Sequence, residues 1–372
     1  MNTQINEAII SLIEKHKIPS LGVEITKEGQ SVFSNYYGFY DALKTQPLDS
    51  NALYFLYSLT KVITAVAGYQ LVEKGLLSLD DKVSKYIPAF KDCFVIKNGE
   101  KVKVENEMTV KHLFTMTSGL GYTNAQDEYF KQVIKNKNLT TFEVVSALAK
   151  TPLKFEPGYT YGYGLGHDVL ACIIEVISGL DFNSYLVKNI FKPLEMNDTC
   201  IVKNGAFIES KMAENYVLND GKYIRTKKIN LLNYTNNYQS GGAGIISTCK
   251  DFSKFATALS LGGTAKNGAK ILSESGVKAL YTPSLTEFQA KTFDDGGQGK
   301  GYGYGLGVRT RVVPTVYTPI GEFGWAGAGG CYTFIDTSRK LTLTVVTSVL
   351  NWNPTYTEVY ETLRELTYKI YN

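Results

Sequence analysis

The chain has 372 residues, 44% of them hydrophobic, and a formal net charge of +4 at pH 7 from 39 basic and 35 acidic side chains. A single compact unit usually stays below about 250–300 residues, so one large two-lobed domain, or two interleaved ones, is expected. The weak charge, without a Lys/Arg tract or a basic-aromatic stripe, argues against nucleic acid as a partner.

The five cysteines, Cys93, Cys172, Cys200, Cys249 and Cys331, are odd in number, far apart and free of any CxxC pair. That pattern argues against a disulfide framework or a metal site and for a reduced compartment. The first ten residues lack the basic start and apolar core of a secretory signal. No apolar run approaches the roughly 18 residues of a membrane span. The expectation is a cytoplasmic protein with no membrane span; its oligomeric state is not legible.

In chain order, Ala8–Ile13 predicts a short amphipathic helix before Pro19. Leu21–Thr26 and Ser31–Tyr37 predict two strands joined by a Lys27-Glu-Gly-Gln30 hairpin turn. Ser58–Lys74 predicts a helix that is apolar nearly all round, hence buried, and ended by Gly75. Further helices are expected at Val110–Thr115, Thr141–Ala149 and His167–Ile177, and at Phe252–Leu259 behind a Thr248 cap. Tyr304–Val313, Tyr332–Asp336 and Leu341–Leu350 predict strands, and Thr355–Tyr371 a last helix. Strands at both ends with helices between them predict an α/β (α+β) fold. A mixed, mainly antiparallel sheet would be flanked by helices and carry an inserted helical lobe. The sheet lobe is expected at about 1–60 and 240–372, the helical lobe at about 61–239, with a small-molecule cleft between them.

The GxSxG turn of many hydrolases is absent. None of the three histidines, His16, His112 and His167, stands in a recognisable triad context. Lysine is the alternative base, and Ser-x-x-Lys on a helix puts both side chains on one face. The spacing occurs at Ser58/Lys61, Ser247/Lys250 and Ser275/Lys278. The last two fall in capped helix starts, where serine is favoured structurally. Ser58 instead opens an apolar helix that would draw Lys61 inside, which is costly unless the lysine has a partner or a task.

The stretch Tyr57-Ser-Leu-Thr-Lys-Val-Ile-Thr-Ala-Val-Ala67 resembles the first motif of class C β-lactamases, penicillin-binding proteins and their esterase relatives. Five more blocks resemble the same family in the same order: Leu77–Pro88, Leu113–Leu120, Phe155–Gly158, Gly241–Thr248 and Phe323–Gly330. The resemblance implies a β-lactamase/transpeptidase-like fold, Ser58 as nucleophile and Lys61 as its partner. It places a catalytic tyrosine at Tyr163, in preference to neighbouring Tyr161. The backbone N–H groups of Ser58 and Ala328 would form the oxyanion hole. The third motif is Trp325-Ala326-Gly327, where many relatives have Lys-Thr-Gly.

A serine hydroxyl needs a base, and Lys61 and Tyr163 are the two candidates. A lysine neutral at pH 7 needs its pKa lowered by about three units, roughly 4–5 kcal/mol. Burial and the helix dipole push that way. A charged Lys61 would instead lower Tyr163, so the two are treated as a coupled pair.

Leu165 stands where relatives carry a substrate-binding Asn, and uncharged Trp325 where they carry a carboxylate-binding Lys. Both changes predict substrate-binding positions, Leu165 and Trp325 with Ala326 and Gly327, suited to an apolar acyl group. The expected activity is that of a carboxylesterase acting through an acyl-enzyme, with no cofactor and no metal. Alternatives are a β-lactamase or D-amino-acid peptidase on a lactam or amide, acyl transfer, and a non-catalytic ligand-binding module.

Overall fold

A computed structural model describes residues 2–202, 211–226, 233–295 and 299–371. Fourteen strands are described. Strands β1 (Ser20–Lys27) and β2 (Gln30–Gly38) come from the start of the chain. β10 (Tyr302–Tyr304), β11 (Arg309–Arg311), β12 (Phe323–Gly327), β13 (Cys331–Asp336) and β14 (Leu341–Thr347) come from its end. Together they form one seven-stranded sheet in the order β10-β11-β12-β13-β14-β1-β2, with every pairing antiparallel. The terminal segments meet at β1 and β14, which pair from Leu21↔Thr347 to Lys27↔Leu341.

Strand alternation divides this sheet into two faces. Leu21, Val23 and Ile25 of β1 join Leu341, Leu343 and Val345 of β14 in a core against the terminal helices Asn2–His16 and Tyr360–Tyr371. Helix Cys249–Ser260 packs on the other face against β1, β13 and β14. Both faces are covered, so β1 is buried along nearly its whole length.

A three-stranded sheet links this body to the site. β3 (Leu53–Phe55) pairs with β9 (Ile245–Thr248), which pairs with β6 (Cys200–Ile201). Two hairpins, β4 (Phe94–Lys97) with β5 (Glu100–Lys103) and β7 (Tyr216–Asn219) with β8 (Lys222–Arg225), complete the described strands. The sequence reading did not anticipate these hairpins or the small sheet.

Helix Thr60–Glu73 is buried continuously from Thr60 to Gly68, as its all-round apolar pattern requires. It is preceded by a tighter turn, Tyr57–Leu59, and stops before Gly75, whose φ is +69°. The expected single strand Tyr304–Val313 is two short strands, β10 and β11, because Gly305 and left-handed Gly307 turn the chain between them. Among the described residues no single helix is long and apolar enough to cross a membrane. Helix Gly166–Ser178 and the segment Phe182–Phe191 pass that test only together, across a 76° bend.

Candidate active site

Strand β3 runs directly into the turn that carries Ser58. Tyr57 takes a left-handed backbone, φ +46°, which costs a bulky residue about 1–2 kcal/mol and reverses the chain just before the serine. The Leu56 amide donates to the Ile245 carbonyl, continuing the β3–β9 pairing. That pairing sets the Ser58 turn beside the loop Gly241–Gly244 leading into β9.

Strand β12 closes on the same turn. A Cβ at position 327 would lie 2.2 Å from the Leu56 oxygen and 3.4 Å from the Ser58 nitrogen, so glycine is required there. The glycines of this motif admit the protein's own serine turn. The close approach of Gly327 to the Ser58 turn sets the backbones of Ser58 and Ala328 side by side.

Lys61 lies one turn after Ser58 and is 0% exposed. Its Nζ donates to Ser58 Oγ at 3.2 Å, to the Tyr122 hydroxyl at 3.2 Å and to the Gly242 carbonyl at 2.8 Å. Three acceptors match the three protons of an ammonium. Burial pushes this ammonium toward the neutral form. Tyr122, Tyr163 and Asp168 push the other way, and the balance raises Lys61 above its ordinary pKa. The balance favours the ammonium, the opposite of what burial and the helix dipole alone suggested. Burial also raises Tyr122, with Lys61 pulling against it.

Tyr163 lies on the other side of the lysine. Lys61 Nζ is 4.8 Å from its ring centroid, and its hydroxyl accepts from Trp325 Nε1 at 3.1 Å. The rings of Tyr122 and Tyr163 meet edge-on with centroids 5.8 Å apart. Tyr161, the competitor in sequence, packs against Phe293 and Tyr304, and its buried hydroxyl has no partner among the described residues.

Three expected substrate-binding side chains are placed otherwise. Leu165 is fully buried at the start of helix Gly166–Ser178 and packs in the main core, so its side chain does not reach a substrate. Ala326 falls on the opposite face of β12 from Trp325, against the terminal-helix core, as alternation dictates. Trp325 is only 4% exposed and serves as the partner of Tyr163. Tyr122 was missed. It is one of 26 tyrosines, and its one signal is its place directly after the block Leu113–Leu120 and Gly121.

The histidines stand apart from Ser58. His16 pairs with Glu358, His112 sits in a helix cap, and His167 is buried with both ring nitrogens unpartnered among the described residues. Among the described residues no group of three or more His, Cys, Asp or Glu is arranged to hold a metal ion. A cleft of about 660 Å³ borders the site at Tyr57 and Ala328, with Val217, Leu218, Leu350 and Trp352 among its walls.

In sequence, the chain is 29% identical over 197 residues to Protein flp of Staphylococcus aureus (strain N315), covering 53% of this chain and 37% of that protein. The chain thus spans little more than a third of that relative's length. It is 26% identical over 301 residues to the acyltransferase calJ of Penicillium decumbens, covering 76% and 70%. In structure, it matches EstCE1, described as a hydrolase with promiscuous acyltransferase activity, with TM-score 0.81 at 20% identity over 98% of both chains. It matches unliganded selenomethionyl simvastatin synthase LovD of Aspergillus terreus with TM-score 0.83 at 20% identity, covering 99% and 97%. A penicillin-binding protein from Bacillus halodurans gives 0.69 at 20%, covering 95% and 99%. At these identities the structural matches establish the fold. Residues 5–367 match the family model described as Beta-lactamase. With that match running over nearly its whole length, the chain belongs to the Beta-lactamase family, the serine β-lactamase and penicillin-binding-protein fold that includes esterase and acyltransferase homologues.

Proposed function

We propose that the protein is a serine hydrolase working through an acyl-enzyme on Ser58, with esters of small uncharged acyl groups as its preferred substrates. The observation that carries this reading is the buried contact of Lys61 Nζ with both Ser58 Oγ and a phenol, each at 3.2 Å. A lysine held this way, without exposure, has little structural purpose and fits the activation of a nucleophile.

Ser58 Oγ attacks the ester carbonyl carbon and gives its proton to the Lys61–Tyr163 pair, with Tyr122 as a further contact of the lysine. The carbonyl oxygen takes up negative charge and accepts from the Ser58 and Ala328 amides. Losing one such donor costs about 10²–10³ in rate. The bond to the leaving alkoxide then breaks, and the same pair returns the proton to it. Water repeats the sequence on the acyl group, releasing the acid and restoring Ser58. An acceptor alcohol in place of water would make the reaction an acyl transfer.

The preference for uncharged acyl groups rests on the cleft beside Tyr57 and Ala328. No charged residue contributes to its described lining. Trp325 supplies no cation for a substrate carboxylate, and a charge-assisted bond of that kind is worth about 1.5–3 kcal/mol.

The test compares p-nitrophenyl acetate, p-nitrophenyl butyrate and nitrocefin on the wild type and Ser58→Ala. Ester turnover is expected to fall at least about 10³-fold in the variant, with nitrocefin a poor substrate throughout. Ester turnover that survives the substitution would refute Ser58 as nucleophile. Faster nitrocefin turnover would move the reading to a β-lactamase. A folded wild type without turnover and without fluorophosphonate labelling would leave a ligand-binding module.

A further inference from the structure

Asp168 is a fully buried carboxylate in the first turn of helix Gly166–Ser178. Its Oδ1 accepts from the Tyr238 hydroxyl at 2.6 Å, the Ser240 hydroxyl at 2.6 Å and the Gly242 amide at 3.3 Å. Its Oδ2 has no partner among the described residues and lies against Gly242, where a Cβ would come within 2.4 Å of it. Ser240 Oγ in turn accepts from the Gly242 and Ala243 amides at 3.2 and 3.0 Å. Asp168 and Ser240 together therefore pin one side of the loop 240–243.

The other side of that loop faces the nucleophile helix. The Gly241 carbonyl accepts from Thr64 Oγ1 at 2.7 Å and the Gly242 carbonyl from Lys61 Nζ at 2.8 Å. Gly242 thus presents its N–H to Asp168 and its C=O to Lys61. Among the described residues Asp168 makes no direct ion pair. A buried carboxylate with no cation nearby is costly, and Lys61 is the cation that lies one residue away.

We propose that Asp168 is a positioning residue for the Ser58 reaction. Through Ser240 and Gly242 it fixes the carbonyl that orients Lys61, and it supplies the buried negative charge that the Lys61 ammonium faces. The inference rests on Ser58 and Lys61 being the reacting pair.

The groups around Lys61 are few. Ser58 shares its turn, Tyr122 and Tyr163 flank it, and helix Gly166–Ser178 brings Asp168 and His167. Burial, followed by the Lys61 charge, pushes His167 well below its ordinary pKa, so it adds no positive charge. Asp168 itself is faced by Tyr234, Tyr238 and Ser240. The carboxylate raises both Lys61 and Tyr122. Removing its charge lowers both, so every limb of a pH profile that depends on them moves to lower pH.

Asp168→Asn isolates the charge. Its amide oxygen can keep the three donors, and its nitrogen falls where Oδ2 meets no donor. The measurement is the pH dependence of fluorophosphonate labelling at Ser58, with folding checked by near-UV circular dichroism. The profile of the variant is expected to shift down by about one pH unit. A folded variant whose profile superimposes on the wild type, or moves upward, overturns the proposal. Ser240→Ala keeps the charge and loosens the loop. It is expected to label about tenfold more slowly with its profile unmoved, and labelling at the wild-type rate would overturn the positioning role even if Asp168→Asn did not fold. A wild type that does not label overturns the Ser58 reading instead, and this inference with it.

Discussion

Among the described residues positive charge is buried in two places, and the two are built differently. On the terminal-helix side of the sheet, Arg364 donates to the Tyr302 hydroxyl at 2.6 Å, which donates to the buried Glu322 carboxylate at 2.8 Å; Arg364 also pairs with Glu361. Arg309 and Arg311 stack on the Tyr302 ring, 4.6 and 4.5 Å from its centroid. On the other side Lys61 meets two phenols, a hydroxyl and a carbonyl, with its nearest carboxylate one residue removed. Guanidinium groups cannot give up a proton, and here they sit in a chain ending on a carboxylate. The lysine can give one up, and three of its four contacts, Ser58, Tyr122 and Tyr163, carry hydroxyls that can exchange protons themselves. The first arrangement fixes charge and the second keeps it transferable.

Substitution by methionine separates the two most strongly. Lys61→Met is expected to lower Ser58 labelling at least about 10³-fold, at a smaller stability cost than removing Arg364, because Asp168 lies one residue away and keeps its three donors. Arg364→Met removes the guanidinium hydrogen-bonded to Tyr302 and the largest positive charge acting on Glu322, and is expected to cost about 3–5 kcal/mol. Its effect on labelling at temperatures where the variant is folded should be small. Urea unfolding and labelling rates on both variants check this, and equal destabilisation by the two would erase the distinction.

The two phenols sharpen the comparison at smaller scale. The Tyr163 hydroxyl accepts from Trp325 Nε1, which steadies it as a proton acceptor, whereas the Tyr122 hydroxyl accepts from Lys61. Tyr163→Phe is expected to slow labelling by about 10²–10⁴. Tyr122→Phe removes one lysine contact and is expected to slow it about tenfold. The reverse order would pass the base role to Tyr122.

The legible and illegible parts of the molecule follow the reach of sequence logic. Local signals worked: the Lys27–Gln30 turn joins β1 and β2, and the Thr248 cap opens helix Cys249–Ser260. Ser58 and Lys61 share one helical turn, so their contact is written in their spacing. Tyr122, Ser240 and Gly242 reach Lys61 or Asp168 from distant segments, brought there by the β3–β9 pairing, the Gly121–Gly164 bridge and the buried start of helix Gly166–Ser178. Ala326 was readable and was misread, because alternation about Trp325 already sends it to the far face. Leu165 looked like a pocket residue by its place in a motif, yet as the residue before a buried helix it belongs to the core.

A third way of burying a titratable group is to leave its proton off, as at His112. Its Nδ1 accepts from the Thr109 amide in a reciprocal helix cap. Burial, helped by the charges of Lys82 and Lys111, pushes it down from 6.5 to about 4. The unfolded chain takes up a proton as pH falls through 6.5, whereas the folded histidine resists until about 4. Stability from this group is therefore complete above pH 6.5 and is lost progressively between 6.5 and 4, by up to about 3 kcal/mol. His112→Gln keeps a side-chain acceptor for the cap and removes the titration. The variant and the wild type should be alike at neutral pH apart from small cap effects, with the wild type losing more stability toward pH 4. His167 titrates in the same direction in both, so the difference between the two denaturation series isolates His112. Parallel slopes would mean that the folded ring takes up its proton at the same pH as the unfolded chain, so that burial in this cap does not keep the proton off.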